Sequence, residues 1–157
     1  MIVIGAKGKL NVEEVLDKIK EQGIKAQILD ADVVCGKEHI EVAYEHAKRA
    51  FEEGRNKSKS IGMELMLYAS GKRQIKEAIE FIGAKEKGNY VFIFFNVDEG
   101  KARRFVESLG LKIDDGVMQP SIEKLKKFVS EEELKTIDKD FYFDLIFEKI
   151  AMVELLK

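Results

Sequence analysis

The stretch from Leu65 to Ile79 constrains the fold more than any other part of the chain. A short apolar run, Leu65 to Ala69, ends at Ser70-Gly71. Apolar residues then recur with the i, i+3, i+4, i+7 spacing of one helix face, at positions 75, 78, 79 and 82. This pattern predicts a buried strand, a tight turn and an amphipathic helix that begins near Ser70 or Gly71.

Three basic residues, Lys72, Arg73 and Lys76, would then lie in or beside the first turn of that helix. Cations there are disfavoured by about 0.3–1 kcal/mol each, because the amino end of a helix carries partial positive charge. Sequences often accept such costs at functional sites, and free backbone N–H groups beside cations can bind a phosphate. The alternative is that these long side chains simply extend into water.

The charge distribution supports an anion site in the same region. The whole chain has a net charge of −2, whereas residues 48–76 hold eight basic side chains and three acids. Lys57 and Lys59 lie in the polar connector Arg55–Ser60. A basic patch on a nearly neutral protein favours a specific polyanion site over general attraction, although a solvated charged face remains the alternative.

Three further segments have the composition of strands. They are Met1–Ile4, Ala26–Leu29 and the almost wholly apolar Tyr90–Phe95, which is typical of a strand covered on both faces. With helical segments between them, they predict one α/β domain over residues 1–157. Its mixed sheet of about four strands would be built near residues 1–5, 25–30, 64–69 and 90–96, flanked by helices.

The last helix, predicted from about Asp140 to the carboxyl end, is apolar around most of its circumference. Such a helix is either wholly buried or covered by a partner, and a terminal helix of a small domain is hard to bury on all sides. We therefore predict a partner surface, with internal packing or a homodimer as alternatives. The candidate interface residues are Phe147, Ile150, Met152, Val153, Leu155 and Leu156.

Motifs of common enzymes and metal sites are missing. Gly71-Lys72 lacks the other positions of a phosphate-binding P-loop, and we find no nucleophile elbow, zinc-protease motif or paired cysteines. His39 and His46 would lie about 10 Å apart along a helix, too far to share one ion. Asp30 and Asp32 fit turn chemistry better than a metal site. We expect no cofactor, no metal and no membrane span, and an intracellular location for a chain with one cysteine.

The central stretch also resembles a known family. The run S-G-K-R-Q-I at residues 70–75, the preceding R-N-K-S-K-S-I-G-M-E, Asp30-Ala-Asp32 and Gly36–His39 are similar to the smallest kinase-binding subunit of the KEOPS complex. This family comprises the archaeal and eukaryotic relatives of the p53-related-kinase-binding protein. The present sequence is similar to the archaeal type.

The resemblance implies a non-catalytic, cytoplasmic subunit. It would bind the atypical kinase/ATPase subunit of KEOPS and recruit tRNA through its 3′ CCA end. The complex would then modify adenosine 37 to N6-threonylcarbamoyladenosine (t6A). The predicted RNA-binding residues are Lys57, Lys59, Gly71, Lys72, Arg73, Ile75 and Lys76, with Ile75 as an apolar surface for a base. The alternative function is a small-molecule enzyme or nucleotide sensor that binds a phosphate at Gly71–Arg73.

Overall fold

The central strand of the protein, β3 (Lys87–Phe94), is buried on both of its faces. The structure is a computed structural model that describes residues 1–156. Every residue from Tyr90 to Phe94 has 0% of its surface exposed. Because alternate side chains of a strand point to opposite sides, both faces of the sheet must be covered. The strand predicted near residues 90–96 is therefore confirmed, although it begins a few residues earlier.

Three more strands complete the sheet, and they are β1 (Ile2–Lys9), β2 (Ala26–Asp30) and the short β4 (Lys112–Ile113). The order is β2-β3-β1-β4, and each pairing among the described residues is antiparallel. The α/β class with about four strands is confirmed, but the predicted mixed sheet is wrong. β1 and β2 do run in the same direction, as strand–helix–strand order implies, yet β3 lies between them and opposes both.

A helical layer covers each face of the sheet. On one face lie α1 (Val12–Glu21) and α5 (Glu99–Ser108), which bury apolar side chains against Phe92 and Phe94. Asn11 caps α1 by accepting a hydrogen bond from the N–H of Glu14 at 3.1 Å. The other face carries the larger core and more helices. These are α2 (Lys37–Glu52), α3 (Ile61–Ser70), α4 (Ile75–Ile82), α6 (Ile122–Leu125), α7 (Glu131–Lys135) and α8 (Asp144–Leu156).

The segment near residues 64–69 is helix α3, and the prediction of a strand there is wrong. Ser60 begins the helix by accepting a hydrogen bond from the N–H of Met63, and Gly71 ends it. Residues 64–70 are all buried, because α3 packs between β2 and the helices α2, α4 and α8. A helix that is buried all round shows no polar face, so its apolar run has no periodicity that distinguishes it from a strand.

The carboxyl-terminal helix begins later than predicted. A short 3₁₀ helix, Lys139–Phe141, precedes α8, which starts at Asp144 rather than near Asp140. α8 packs against α2 and α3 on the larger core. Within residues 1–156 no helix combines the length and the hydrophobicity that are needed to cross a membrane.

Candidate functional site

The loop between α3 and α4 holds the centre of the predicted RNA-binding site. Gly71 ends α3 in the left-handed conformation, with a φ of +69°. The N–H of Lys72 donates to Ser70 Oγ at 3.0 Å. Lys72 and Arg73 thus follow the carboxyl end of α3, where the helix dipole favours cations. The predicted helix start near Ser70 or Gly71 was wrong, because α4 begins at Ile75, so Lys72 and Arg73 precede its first turn. Lys76 does lie in the first turn of α4.

A direct hydrogen bond joins this loop to the connector between α2 and α3. The amine of Lys57 donates to the backbone carbonyl of Arg73 at 2.7 Å. Both side chains are exposed, and so are those of Lys59 and Lys76. Ile75, the first residue of α4, is half-buried. Two segments that are 16 residues apart therefore form one basic surface, which we call the two-loop surface (residues 57–60 and 71–76).

Glu64 holds the first of these loops in place, a role that was not predicted from the sequence. Its side chain is fully buried and accepts hydrogen bonds from the N–H of Lys57 at 3.0 Å and from the N–H of Ser58 at 2.9 Å. The Ser58 hydroxyl donates to the same carboxylate at 3.0 Å. Glu64 is the only charged residue of α3. A lone carboxylate in an apolar helix must find donors, and this was the signal in the sequence.

A small basic pocket of about 200 Å³ adjoins the α3–α4 loop. It is lined by Ser70, Gly71, Lys72, Phe81, Lys127, Phe128 and Lys149. The amine of Lys72 lies 4.6 Å from the centre of the Phe81 ring, which is a cation–π contact. The amine of Lys149 pairs with Glu133 at 3.1 Å. Lys127 and Lys149 come from distant segments, so sequence spacing gave no indication that they would lie near Gly71.

The predicted partner residues of helix α8 differ in how far they are exposed. Ile150 and Val153 are each 1% exposed and pack in the larger core. They lie on the core side of the helix and are inaccessible to a partner in this structure. Phe147 is half-buried. The other three are exposed, with Met152 at 46%, Leu156 at 50% and Leu155 at 77%. We call these three residues the α8 apolar face.

Glu154 attaches α8 to the helices beneath it. Its Oε2 accepts a hydrogen bond from the Tyr68 hydroxyl at 2.7 Å and lies 3.1 Å from Nδ1 of His46. Its Oε1 contacts the guanidinium group of Arg55, which also pairs with Glu53. Arg55 is therefore engaged by carboxylates rather than available for RNA.

The residues that could imitate a catalytic centre have structural roles. His39 is fully buried, with Nδ1 accepting from the N–H of Cys35 at 3.0 Å and Nε2 lying 2.8 Å from the carbonyl of Ala69. Burial lowers the pKa of His39 to about 4 and raises the pKa of the Cys35 thiol. An imidazole that is neutral at pH 7 and a protonated thiol do not form an activated nucleophile pair.

The acidic turn is also structural. Asp30 Oδ1 accepts a hydrogen bond from the N–H of Asp32 at 2.9 Å and caps a 3₁₀ turn. Turn chemistry is the interpretation that the sequence favoured for these two residues. In the part of the chain that the structure describes, no three His, Cys, Asp or Glu residues are grouped as metal ligands.

Comparison with known proteins identifies the family of this chain. Residues 10–146 match the family model described as kinase binding protein CGI-121. The chain belongs to the CGI-121 family. It is 38% identical over all 157 residues to the regulatory protein Cgi121 of Methanocaldococcus jannaschii, of which the alignment covers 99%. It is also 34% identical over 131 residues to the KEOPS complex subunit Cgi121 of Pyrococcus abyssi, covering 81% of this chain and 65% of that protein.

Membership of the CGI-121 family confirms the resemblance that the central stretch indicated. Its two named relatives are archaeal, and the name of one assigns it to the KEOPS complex. The family is a kinase-binding, regulatory one.

Proposed function

We propose that this chain is the non-catalytic KEOPS subunit that binds the atypical kinase/ATPase subunit and recruits tRNA through its 3′ CCA end. Residues 1–157 would act as one domain of the CGI-121 family in the cytoplasm. The protein would thereby support t6A formation at adenosine 37 without performing a chemical step. The name of the Pyrococcus abyssi relative supports membership of the KEOPS complex, and the family membership supports binding to a kinase.

One observation carries the RNA part of the proposal, namely the hydrogen bond between the Lys57 amine and the Arg73 carbonyl. It fixes two basic loops side by side and leaves the guanidinium group of Arg73 exposed. Arginine can pair with phosphate and stack on a base, and Ile75 offers an apolar surface beside it. A single strand whose bases are unpaired, such as the end of a tRNA, presents both groups.

The decisive experiment compares intact tRNA with the same tRNA after removal of its terminal CCA. Filter binding at fixed ionic strength should show tight retention of the first and weak retention of the second. A tRNA whose CCA is paired to a complementary oligonucleotide serves as the control, because it keeps the nucleotides but buries their bases. Equal affinity for all three RNAs would contradict 3′-end recognition.

The small basic pocket next to Gly71 favours one second candidate, a sensor or enzyme that binds a small phosphate compound. Lys72 and Lys127 could neutralise a nucleotide phosphate there, whereas Lys149 is already paired with Glu133. Such a ligand stabilises the folded protein as its concentration rises. A thermal midpoint that rises with ATP or inorganic phosphate but not with RNA would support this candidate against the tRNA function.

A further inference from the structure

A cleft of about 480 Å³ lies at the far end of the connector that carries Lys57. Its walls come from the end of α2, the start of α3, the residues that lead into β2, and Phe95. The lining residues are Ile24, Lys25, Ala26, Phe51, Lys59, Ser60, Ile61, Gly62 and Phe95. Of these, Lys59 was predicted to bind RNA, whereas Lys25, Phe51 and Phe95 were not singled out by the sequence.

The lining combines a flat apolar wall with positive charge. Phe51 and Phe95 are half-buried, so part of each ring remains accessible from the cleft. The Phe95 ring stacks on Tyr44, at 5.9 Å between ring centres. Lys25 and Lys59 are exposed, and among the residues that the structure describes no acidic one lines the cleft. Aromatic surface for a base beside lysines for a phosphate is the combination that binds single-stranded nucleic acid.

Two hydrogen bonds of the Lys25 backbone fix this arrangement. The N–H of Phe95 donates to the carbonyl of Lys25 at 2.9 Å, and the N–H of Lys25 donates to Asn96 Oδ1 at 2.7 Å. Lys25 is therefore held next to the aromatic wall. The start of α3 also faces the cleft, and the N–H groups of Ile61 and Gly62 have no acceptor within their own helix.

The cleft shares Lys59 and Ser60 with the two-loop surface. Lys59 and Ser60 line the cleft, and Lys57, two residues earlier in the same loop, donates to Arg73. Glu64 fixes that loop through Lys57 and Ser58. A strand bound at Arg73 can therefore follow a rigid, basic path into the cleft.

We propose that this cleft binds one further nucleotide of the RNA strand whose 3′ end occupies the two-loop surface. Its base packs against Phe51 and Phe95, and its phosphate lies between Lys25 and Lys59. The inference rests on the proposed function, and it extends the recognised ligand from the CCA end to the unpaired nucleotides next to it. A protein partner that inserts an aromatic side chain into the same cleft is the competing occupant.

The experiment uses the full chain with two single-stranded RNAs, the trinucleotide CCA and a longer strand that ends in CCA. Lys25→Glu should lower affinity for the longer strand about fivefold or more and leave the trinucleotide unchanged, since a phosphate contact is lost only beyond the CCA. Lys20→Glu on α1 is the matched control, because Lys20 is an equally exposed lysine outside the cleft. It should change neither affinity.

A second measurement keeps the test independent of the substitution. The fluorescence of 2-aminopurine placed next to the CCA should change on binding, because its base leaves the neighbouring bases and packs against the phenylalanines. The proposal is overturned if fluorescence is unchanged and Lys25→Glu acts equally, or not at all, on both RNAs. It is also overturned if Lys25→Glu abolishes kinase binding and spares RNA. If the proposed function itself is wrong, the result differs, because Arg73→Glu then leaves the affinity for the trinucleotide and the affinity for the longer strand unchanged.

Discussion

At the scale of single residues, Glu64 carries the most instructive set of contacts. Replacing Glu64 by Ala would leave the buried N–H of Ser58 and that of Lys57 without their acceptor. An unsatisfied buried donor costs about 1–3 kcal/mol, so the free energy of unfolding should fall by roughly that amount. Urea denaturation measures this change.

The same substitution should also weaken RNA binding, because the loop that positions Lys57 and Lys59 becomes mobile. Binding measured well below the unfolding midpoint separates this positioning effect from unfolding. Glu77→Ala on the exposed side of α4 is the matched control and should change neither quantity. If Glu64→Ala lowered stability but left RNA affinity intact, Glu64 would serve folding alone.

Arg73 presents the opposite case, an exposed side chain whose loss should affect binding and not folding. Arg73→Glu keeps the backbone carbonyl that accepts from Lys57. We expect a thermal midpoint close to wild type and tRNA affinity lowered by about tenfold, with the salt dependence of binding reduced by about 0.7 for each lost phosphate contact. Arg104→Glu on α5, across the sheet, provides an exposed control. A collapsed midpoint would make Arg73 structural.

His39 makes stability depend on pH. Its pKa is about 4 in the folded protein and about 6.5 in the unfolded chain, because burial disfavours the charged imidazole. As the pH falls, the unfolded chain therefore binds a proton before the folded protein does. The contribution of neutral His39 to the free energy of unfolding is fully present above pH 6.5 and decreases as the pH falls toward 4. The total loss is about 3 kcal/mol. Denaturation of wild type and His39→Gln between pH 7.5 and 4.5 should show a shallower decline in the variant; parallel declines would exclude His39 as the cause.

At the scale of elements, the sequence predicted correctly those helices and strands whose residue pattern is local. It failed for the element whose pattern depends on tertiary packing. Tyr90–Phe94 form the buried strand that their apolar run indicated. Helix α3 was predicted as a strand because burial on all sides removed its periodicity. Its start and stop signals, Ser60 and Gly71, were both in the sequence. Their separation fits a helix of about three turns better than a strand.

Helix α8 permits a test that separates folding from partner binding. Met152→Gln with Leu155→Gln changes only exposed side chains, so the protein should stay folded. We expect it to lose retention of the kinase subunit in a pull-down, because apolar anchors dominate such interfaces.

The matched double variant carries Ile150→Gln and Val153→Gln on the core side of the same helix. Burying two amides there should cost several kcal/mol and unfold the protein. Circular dichroism checks folding in both variants before binding is compared. Normal kinase retention by the folded Met152/Leu155 variant would place the interface elsewhere.

At the scale of the whole molecule, the candidate site depends on contacts that a one-dimensional pattern cannot contain. The residue types of the two-loop surface were recognised by resemblance, and Lys57 does meet the Arg73 loop. Lys72 and Arg73 were predicted at the amino end of a helix that begins near Gly71, but α4 begins at Ile75. The approach of Lys127 and Lys149 to Gly71 depends on packing of the carboxyl-terminal third, for which spacing gives no information.

The contacts of Glu154 connect helix α8 with the connector that carries Lys57. This carboxylate lies on α8 and contacts both Tyr68 of α3 and Arg55 at the start of the basic connector. If a docked kinase shifts α8, the connector must respond, and thermodynamic reciprocity then requires RNA to change kinase affinity by the same factor. We expect RNA affinity measured with and without the kinase to differ in wild type, and that difference to shrink in Glu154→Gln. The carboxyl-terminal helix would thus bind the partner and also alter the affinity of the protein for RNA.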